Sequence, residues 1–331
     1  KLRGAPRAPE ALPRRGRPRG EGPAAMSEAP VLYECEDGVA LLTLNRPESL
    51  NTWTEELSGA WLDAYDRAAG DPECRVIVIT GKGRAWCAGA DVTRLPGSRK
   101  PSGQQGAPGK QPQPQQQQQQ QQLPSNDPRK TGILLDSKGR DTTHALVIPK
   151  PIIACIQGAV AGGGFSQMMN CDIRFAAKGV TFTTAFARRG LIAEMGVSRM
   201  LPNIVGMGVA MDLILSGRKF DSEEALRLGI VQRVFPKEEL LASTLEYARD
   251  MAKNVPPSSL AVLKEQLLRH HAMPMEQVLL ESNRLMLESF RHPEHKEGVR
   301  SYLEKRPPTF PPLSQQHGLV ALMQELQKSR L

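Results

Sequence analysis

The sequence has little with which to cross-link itself. Its five cysteines (Cys35, Cys74, Cys87, Cys155 and Cys171) are odd in number, well separated and never spaced C-x-x-C. That pattern argues against a disulfide framework and a structural zinc site alike, and fits a reducing compartment. The late histidines His270, His271, His292 and His295 lack the H-E-x-x-H spacing of a metal-binding helix, so no metal is expected and solvated side chains are the better reading. No run approaches the roughly eighteen apolar residues of a membrane span, and the N-terminus lacks the apolar stretch of a signal peptide. A stripe of Lys and Arg interleaved with aromatics is also missing. The formal charge of +8 is concentrated at one end: residues 1–25 hold seven basic residues against two acidic ones, which is +5 of the total. Nucleic-acid binding is therefore not expected.

What is present is a chain of 331 residues, 40% hydrophobic, long enough to bury a substantial core. Residues 1–30 are a basic extension rich in Pro, Arg, Gly and Ala, expected to be disordered or a translated leader ahead of Met26, because so many prolines exclude the amphipathic helix of a transit segment. Residues 31–97 and 129–205 read as one α/β core. Val31–Tyr33 and Val39–Leu44 suit a strand pair turning at Asp37-Gly38, Leu57–Ala69 has helical spacing, and Val76–Thr80, Ile152–Ile156 and Ile173–Ala176 are short apolar strands. Gly163–Asn170 suits a helix that starts directly after glycines. Residues 98–128, with eight successive glutamines at 115–122, form a disordered insertion that interrupts this core without dividing it. Residues 206–310 are mostly helical, with segments at Ala210–Leu215, Ser222–Leu228, Glu238–Lys253, Ser259–His271 and Met275–Phe290. Residues 311–331 are a tail ending Ser329-Arg330-Leu331, a close variant of the S-K-L peroxisomal address. A peroxisomal import receptor is thus an expected partner, with mitochondrial or cytosolic location as the alternative.

Two glycine-containing turns follow apolar strands: Ala85-Trp86-Cys87-Ala88-Gly89-Ala90-Asp91, and Gly158-Ala159-Val160-Ala161-Gly162-Gly163-Gly164. Small residues let a ligand touch the backbone, and the first N–H groups of a helix have no partner inside it. Such donors suit an oxygen that gains negative charge during a reaction. A tight strand-to-helix turn without a ligand explains either stretch equally well when taken alone.

Together these segments resemble the crotonase (enoyl-CoA hydratase/isomerase) superfamily. Asn45-Arg46-Pro47-Glu48-Ser49-Leu50-Asn51 looks like its N-x-P-x-x-x-N opening, Ala88-Gly89-Ala90-Asp91 its A-G-A-D turn, and Gly162-Gly163-Gly164 its G-G-G turn. Cys171-Asp172-Ile173-Arg174 resembles its C-D-I-R strand, Ala225 to Val231 its A-x-x-x-G-L-V segment, and Glu297-Gly298-Val299 through Glu304-Lys305-Arg306 its E-G-x-x-x-F-L-E-K-R ending. The resemblance implies an α/β spiral of ββα units with a helical C-terminal region that assembles a homotrimer or hexamer. It also implies an acyl-CoA substrate, with no cofactor beyond the coenzyme A which that substrate carries. The oxyanion donors would be the N–H groups of Ala90 and Gly163. Contacts to CoA or the acyl chain would fall to Arg46, Leu50, Ala88, Asp91, Val92, Gly162, Ser166 and Phe186.

One departure bears on the chemistry. Hydratases of the superfamily place acid–base glutamates where this chain has Ser166 and Phe186, neither of which can move a proton as a carboxylate does. Eight residues beyond Phe186 stands Glu194, in a segment resembling the peroxisomal Δ3,Δ2-enoyl-CoA isomerases, whose single catalytic glutamate sits at that position. A 1,3 proton shift needs one group that takes a proton from one carbon and returns it to another. The expected activity is therefore enoyl-CoA isomerase, with hydratase as the alternative. Local sequence also permits Glu194 to be an exposed carboxylate paired with Arg188, Arg189 or Arg199. Ser166 as the nucleophile of a thioester hydrolase is disfavoured by the missing G-x-S-x-G elbow, and a silent acyl-CoA-binding protein is the third reading. Replacing Ser98–Pro128 by a short Gly/Ser linker should leave soluble yield and turnover within a few fold, because loop length adds little closure entropy; loss of soluble protein would mean that the segment is structural.

Overall fold

The computed structural model describes residues 29–91, 135–313 and 318–328. Ten strands run through them: β1 (Val31–Glu36), β2 (Val39–Leu44), β3 (Val76–Gly81), β4 (Ala85–Cys87), β5 (Ile152–Ile156), β6 (Ala159–Ala161), β7 (Ile173–Ala177), β8 (Thr181–Thr183), β9 (Phe220–Asp221) and β10 (Arg233–Phe235). The helices are α1 (Glu55–Gly70), α2 (Gly163–Met169), α3 (Val197–Val205), α4 (Met207–Ser216), α5 (Ser222–Arg227), α6 (Leu240–Asn254), α7 (Pro257–His270), α8 (Met275–Arg291), α9 (Pro293–Leu303) and α10 (Gly318–Lys328).

The strands form two sheets, β1-β2-β3-β5-β7-β10 and β4-β6-β8-β9. Only the β1–β2 and β8–β9 pairs are antiparallel. Successive strand pairs β3/β4, β5/β6 and β7/β8 each place their first strand in the large sheet and their second in the small one, so the chain winds forward as a spiral of repeated units. Every residue of β3 and β5 is buried, as expected of parallel strands covered on both faces, and this accounts for their unbroken apolar sequence. Helix α1 packs on β1 and β2, and α6 crosses β2, β3, β5 and β7. Thr54 starts α1 by accepting the Leu57 N–H, and Asp221 caps α5 through the Glu224 N–H. Trp61 of α1 sits between Trp53 and Trp86, with ring centroids 5.2 and 5.4 Å away.

Several expectations need correction. The strands β4, β6, β8, β9 and β10 span two or three residues each, too short to show any periodicity. Pro202 inside α3 hides that helix from a sequence reading. Residues 311–331 were expected to be a tail, yet α10 lies on α7 and α8, and its Leu319, Val320, Met323 and Leu326 join Ala261, Val262 and Leu285 in a second apolar cluster. The Ser329-Arg330-Leu331 tripeptide, the insertion at 98–128, most of the basic extension and Val92 lie outside the described residues. Two histidines are also better placed than solvated ones: His270 meets the buried Glu281 at 3.1 Å, and His292 approaches the buried Glu294 at 3.6 Å.

The loop from β2 to α1 is held by one buried side chain. Asn51 donates to the Lys82 and Ala85 carbonyls, at 3.1 and 2.9 Å, and accepts the Arg46 N–H at 2.8 Å. Its backbone is left-handed, with φ of 51°, a conformation asparagine tolerates better than most residues. Asn51→Ala should cost on the order of 3 kcal/mol in urea unfolding, since buried backbone groups lose their partners; an unchanged midpoint would show that water replaces the side chain.

Candidate active site

The two glycine turns meet backbone to backbone. Gly89 has φ of +87°, and a side chain there would meet the Ala161 carbonyl oxygen at 2.7 Å. Gly164 is packed so tightly on β4 that a β-carbon would clash with the Cys87 carbonyl. Gly162 combines φ of 51° with ψ of −122°, which only glycine adopts readily. Glycine is thus required at each of these positions by sterics, whatever binds there.

This contact fixes the direction of two N–H groups. Trp53 donates to the Gly89 carbonyl at 2.7 Å and accepts from the Asp91 N–H at 3.4 Å, forming an isolated parallel bridge with Ala90. In that pattern the residues flanking Ala90 make the bonds, so Ala90 turns its own N–H to the opposite side. The Ala88 N–H is engaged with the Leu50 carbonyl at 3.1 Å, and the Gly162 N–H with the Thr183 carbonyl at 3.2 Å. Gly163 opens α2, where the first N–H groups have no intrahelical acceptor. Neither the Ala90 nor the Gly163 N–H finds an acceptor among the described residues.

Glu194 lies in the loop between the Ala187–Arg189 turn and α3. Its carbonyl accepts the Val197 N–H at 3.2 Å and the Ser166 hydroxyl at 3.4 Å. The next residue, Met195, brings its terminal methyl within 3.8 Å of where a β-carbon on Gly163 would stand. The Glu194 segment therefore lies against the first turns of α2. Its side chain is half-buried, and burial raises its carboxyl above the usual carboxylate range. The arginine partners allowed by the sequence are not used. Arg188 donates to the Ser216 carbonyl, Arg189 to the Arg188 carbonyl, and Glu194 forms no ion pair among the described residues.

The remaining sequence-selected residues separate into two groups. Ala88, Gly162 and Leu50 line the turns themselves, and half-buried Asp91 closes the first one. Arg46 instead braces its own loop, donating to the Thr52 carbonyl and the Thr54 hydroxyl at 3.2 and 2.9 Å. Ser166 and Phe186 are fully buried: Ser166 donates to the Glu194 carbonyl, and Phe186 packs in the main apolar core. Cys87, behind Gly164, is no rival nucleophile, because burial pushes its thiol up to about 12. Sequence reasoning missed Trp53 and Met195: Trp53 acts through its backbone, and Met195 combines a left-handed φ of 54° with a long-range contact from its sulfur to Gln167, neither of which local sequence announces.

Comparison with known proteins agrees with this architecture. The family model described as enoyl-CoA hydratase/isomerase matches residues 34–125 and 115–312. This chain belongs to the enoyl-CoA hydratase/isomerase family. It is 30% identical to a probable enoyl-CoA hydratase of Rhodobacter capsulatus, over 86% of this chain and 99% of that protein. It is 29% identical to the 1,2-epoxyphenylacetyl-CoA isomerase of Escherichia coli, over 85% of this chain and 97% of that protein. The crystal structure of a probable enoyl-CoA hydratase/isomerase from Mycobacterium abscessus superposes with a TM-score of 0.70 at 26% identity, covering 86% of this chain and 99% of that one. The protein therefore has the crotonase fold, a mixed α/β spiral with a helical C-terminal region.

Several family motifs turn out to hold structure together. Arg174 is almost fully buried and donates to the Ile230 and Cys171 carbonyls, both at 2.6 Å. Asp172 accepts the Ile152 N–H at 2.7 Å and faces Lys264 at 2.9 Å. Glu297 and Arg306 form a two-pronged pair at 2.6 and 3.0 Å, and Arg306, with the Thr309 N–H, lowers the Glu297 carboxyl to about 2.

The raised carboxyl of Glu194 predicts a stability signature. The folded protein binds this proton more tightly than the unfolded chain, so its contribution to stability falls as pH rises from the ordinary glutamate value through the folded value. Glu194→Gln should therefore raise Tm relative to wild type at pH 7, and the gap should close below about pH 4. Equal Tm values at both pH values would place the carboxylate in water.

Proposed function

We propose that this enzyme moves a carbon–carbon double bond along an unsaturated acyl-CoA, as a Δ3,Δ2-enoyl-CoA isomerase of fatty-acid β-oxidation. The observation that carries this reading is a half-buried carboxylate with no ion pair among the described residues, Glu194, packed on the turn that presents the Gly163 N–H, while serine and phenylalanine stand where a hydratase needs glutamates. In this mechanism the thioester oxygen accepts hydrogen bonds from the Ala90 and Gly163 N–H groups. Glu194 removes a proton from C2 of the 3-enoyl chain. The electron pair left on C2 delocalises onto the thioester oxygen and along the chain to C4, giving a dienolate. Protonation at C4 by the same carboxyl then leaves the double bond between C2 and C3. The charge on oxygen exists only after proton removal, so the fixed donors favour the transition state over the bound substrate. Partial burial suits the carboxyl to this work, because a raised pKa makes it a better base when ionised and keeps its proton available for return.

The hydratase names of several relatives support a second reading, hydration of a 2-enoyl-CoA. It asks for a second acid–base group, which Ser166 and Phe186 do not supply. A homotrimer or hexamer is also proposed, and exposed apolar side chains on α4, α7, α8 and α9 support it, among them Leu215, Leu267, Leu280 and Leu303. The terminal Ser329-Arg330-Leu331 supports peroxisomal import.

Assay of the Met26–Leu331 protein on 3-enoyl-CoA and 2-enoyl-CoA thioesters separates these readings. Glu194→Gln should lower isomerisation by about a hundredfold or more, with little change in KM. Gly163→Pro should remove one donor, at a cost of about 3 kcal/mol in transition-state stabilisation or more where the backbone shifts. Water addition to the 2-enoyl substrate alone would assign a hydratase, thioester cleavage a hydrolase, and CoA binding without any turnover a silent binding protein.

A further inference from the structure

Gln167 is a polar residue in the otherwise small and apolar helix α2, and it is 1% exposed. A primary amide has two N–H bonds to place, and burial makes an unplaced one costly. Here they go to two different parts of the molecule. Gln167 Nε2 lies 2.8 Å from the Thr142 carbonyl oxygen and 3.5 Å from Met195 Sδ.

The Thr142 side of this bridge is fixed. Arg140, two residues earlier, has a side chain only 7% exposed, and its guanidinium meets Asp63 and Asp66 of α1 at 2.8 and 2.6 Å and Asp136 at 2.6 Å. Asn170 adds a second grip on the same Thr142 carbonyl at 3.3 Å. The Met195 side is the less stable one. Its left-handed backbone is disfavoured for a residue with a β-carbon, so surrounding contacts must hold it there. Ser166, adjacent to Gln167, holds the carbonyl of Glu194, and Gln167 holds the side chain of the residue after it. Two consecutive residues of α2 thus grip two consecutive residues of the loop, on the helix whose first turn presents the Gly163 N–H.

We infer that Gln167 is a positioning residue, which ties the Glu194 loop through Met195 to the strip anchored on α1 and so sets the Glu194 carboxylate relative to the Ala90 and Gly163 donors. The inference rests on the proposed role of Glu194 as the base. Gln167 touches no reacting atom in this scheme; its effect is geometric, and displacements of about 1 Å at a catalytic group can cost about a hundredfold in rate.

The test compares Gln167→Met, which keeps length and loses both donors, with Met195→Leu, which keeps bulk and loses the sulfur acceptor, each checked for folding by circular dichroism and Tm. Both should lower kcat on a 3-enoyl-CoA by about tenfold or more with KM within about twofold. Both should also move the acid limb of the kcat profile to lower pH, as the carboxyl loosens into water. The double variant should be no worse than the poorer single one. Asn170→Leu removes the other grip on Thr142 without touching Met195 and should lose much less. Gln167→Met placed on Glu194→Gln should cause no further loss. Wild-type kcat in both folded single variants, or a loss in Asn170→Leu equal to that in Gln167→Met, would overturn the positioning role while leaving Glu194 as the base. Wild-type turnover in Glu194→Gln alone would overturn the base assignment, and the positioning role with it.

Discussion

The close approach of two backbones, Gly89 against Ala161 and Gly164 against Cys87, is the constraint on which the site depends. A β-carbon at either glycine would stand well inside van der Waals contact with a carbonyl group. Because the two strips touch with no side chain between them, the adjoining residues Ala90 and Gly163 carry their N–H groups on a frame that cannot relax separately. The bridge from Trp53 sets the orientation of one strip and the Thr183 carbonyl anchors the other. Donors built this way need no reorganisation when charge develops on a bound oxygen, which is the property an electrostatic catalyst requires.

Family likeness is carried in this protein largely by residues that hold structure, apart from those to which the proposed reaction is assigned. Asn51, Arg174, Asp172 and the Glu297–Arg306 pair are among the most recognisable positions of the chain, and each is occupied with backbone carbonyls, N–H groups or a partner charge. They specify the spiral. Under the proposed function, the choice of reaction comes down to a few side chains near the turns, here Ser166, Phe186 and Glu194. A shared scaffold with exchangeable acid–base groups is how one fold supports several reactions.

The buried parallel strands were legible because burial on both faces leaves a continuous apolar run: β5 was read with its observed limits and β3 to within one residue. The turns were legible because steric demand for glycine leaves glycine in the sequence. The small sheet was not, since strands of two or three residues carry no period. Glu194 could be singled out by its place in a resembling segment, yet its freedom from Arg188, Arg189 and Arg199 could not be, because each arginine had local carbonyls or solvent as an alternative. Likewise α10 reads as a polar-flanked terminus until its four apolar residues are seen to complete a cluster supplied by α7 and α8. Long-range partners of this kind are settled by tertiary packing, which local pattern does not encode.

The Arg140 cluster has a consequence for variation over generations. Asp63 and Asp66 fasten Arg140 to α1 immediately ahead of Thr142, and Asp136 closes the strip on itself, all on the C-terminal side of the glutamine repeat in the sequence. A change in the number of glutamines reaches the described fold only ahead of a strip that is already fastened before Thr142. The turns beyond Arg140 then keep the geometry that the Asp63 and Asp66 contacts impose. Repeat length can then drift under no selection from the chemistry.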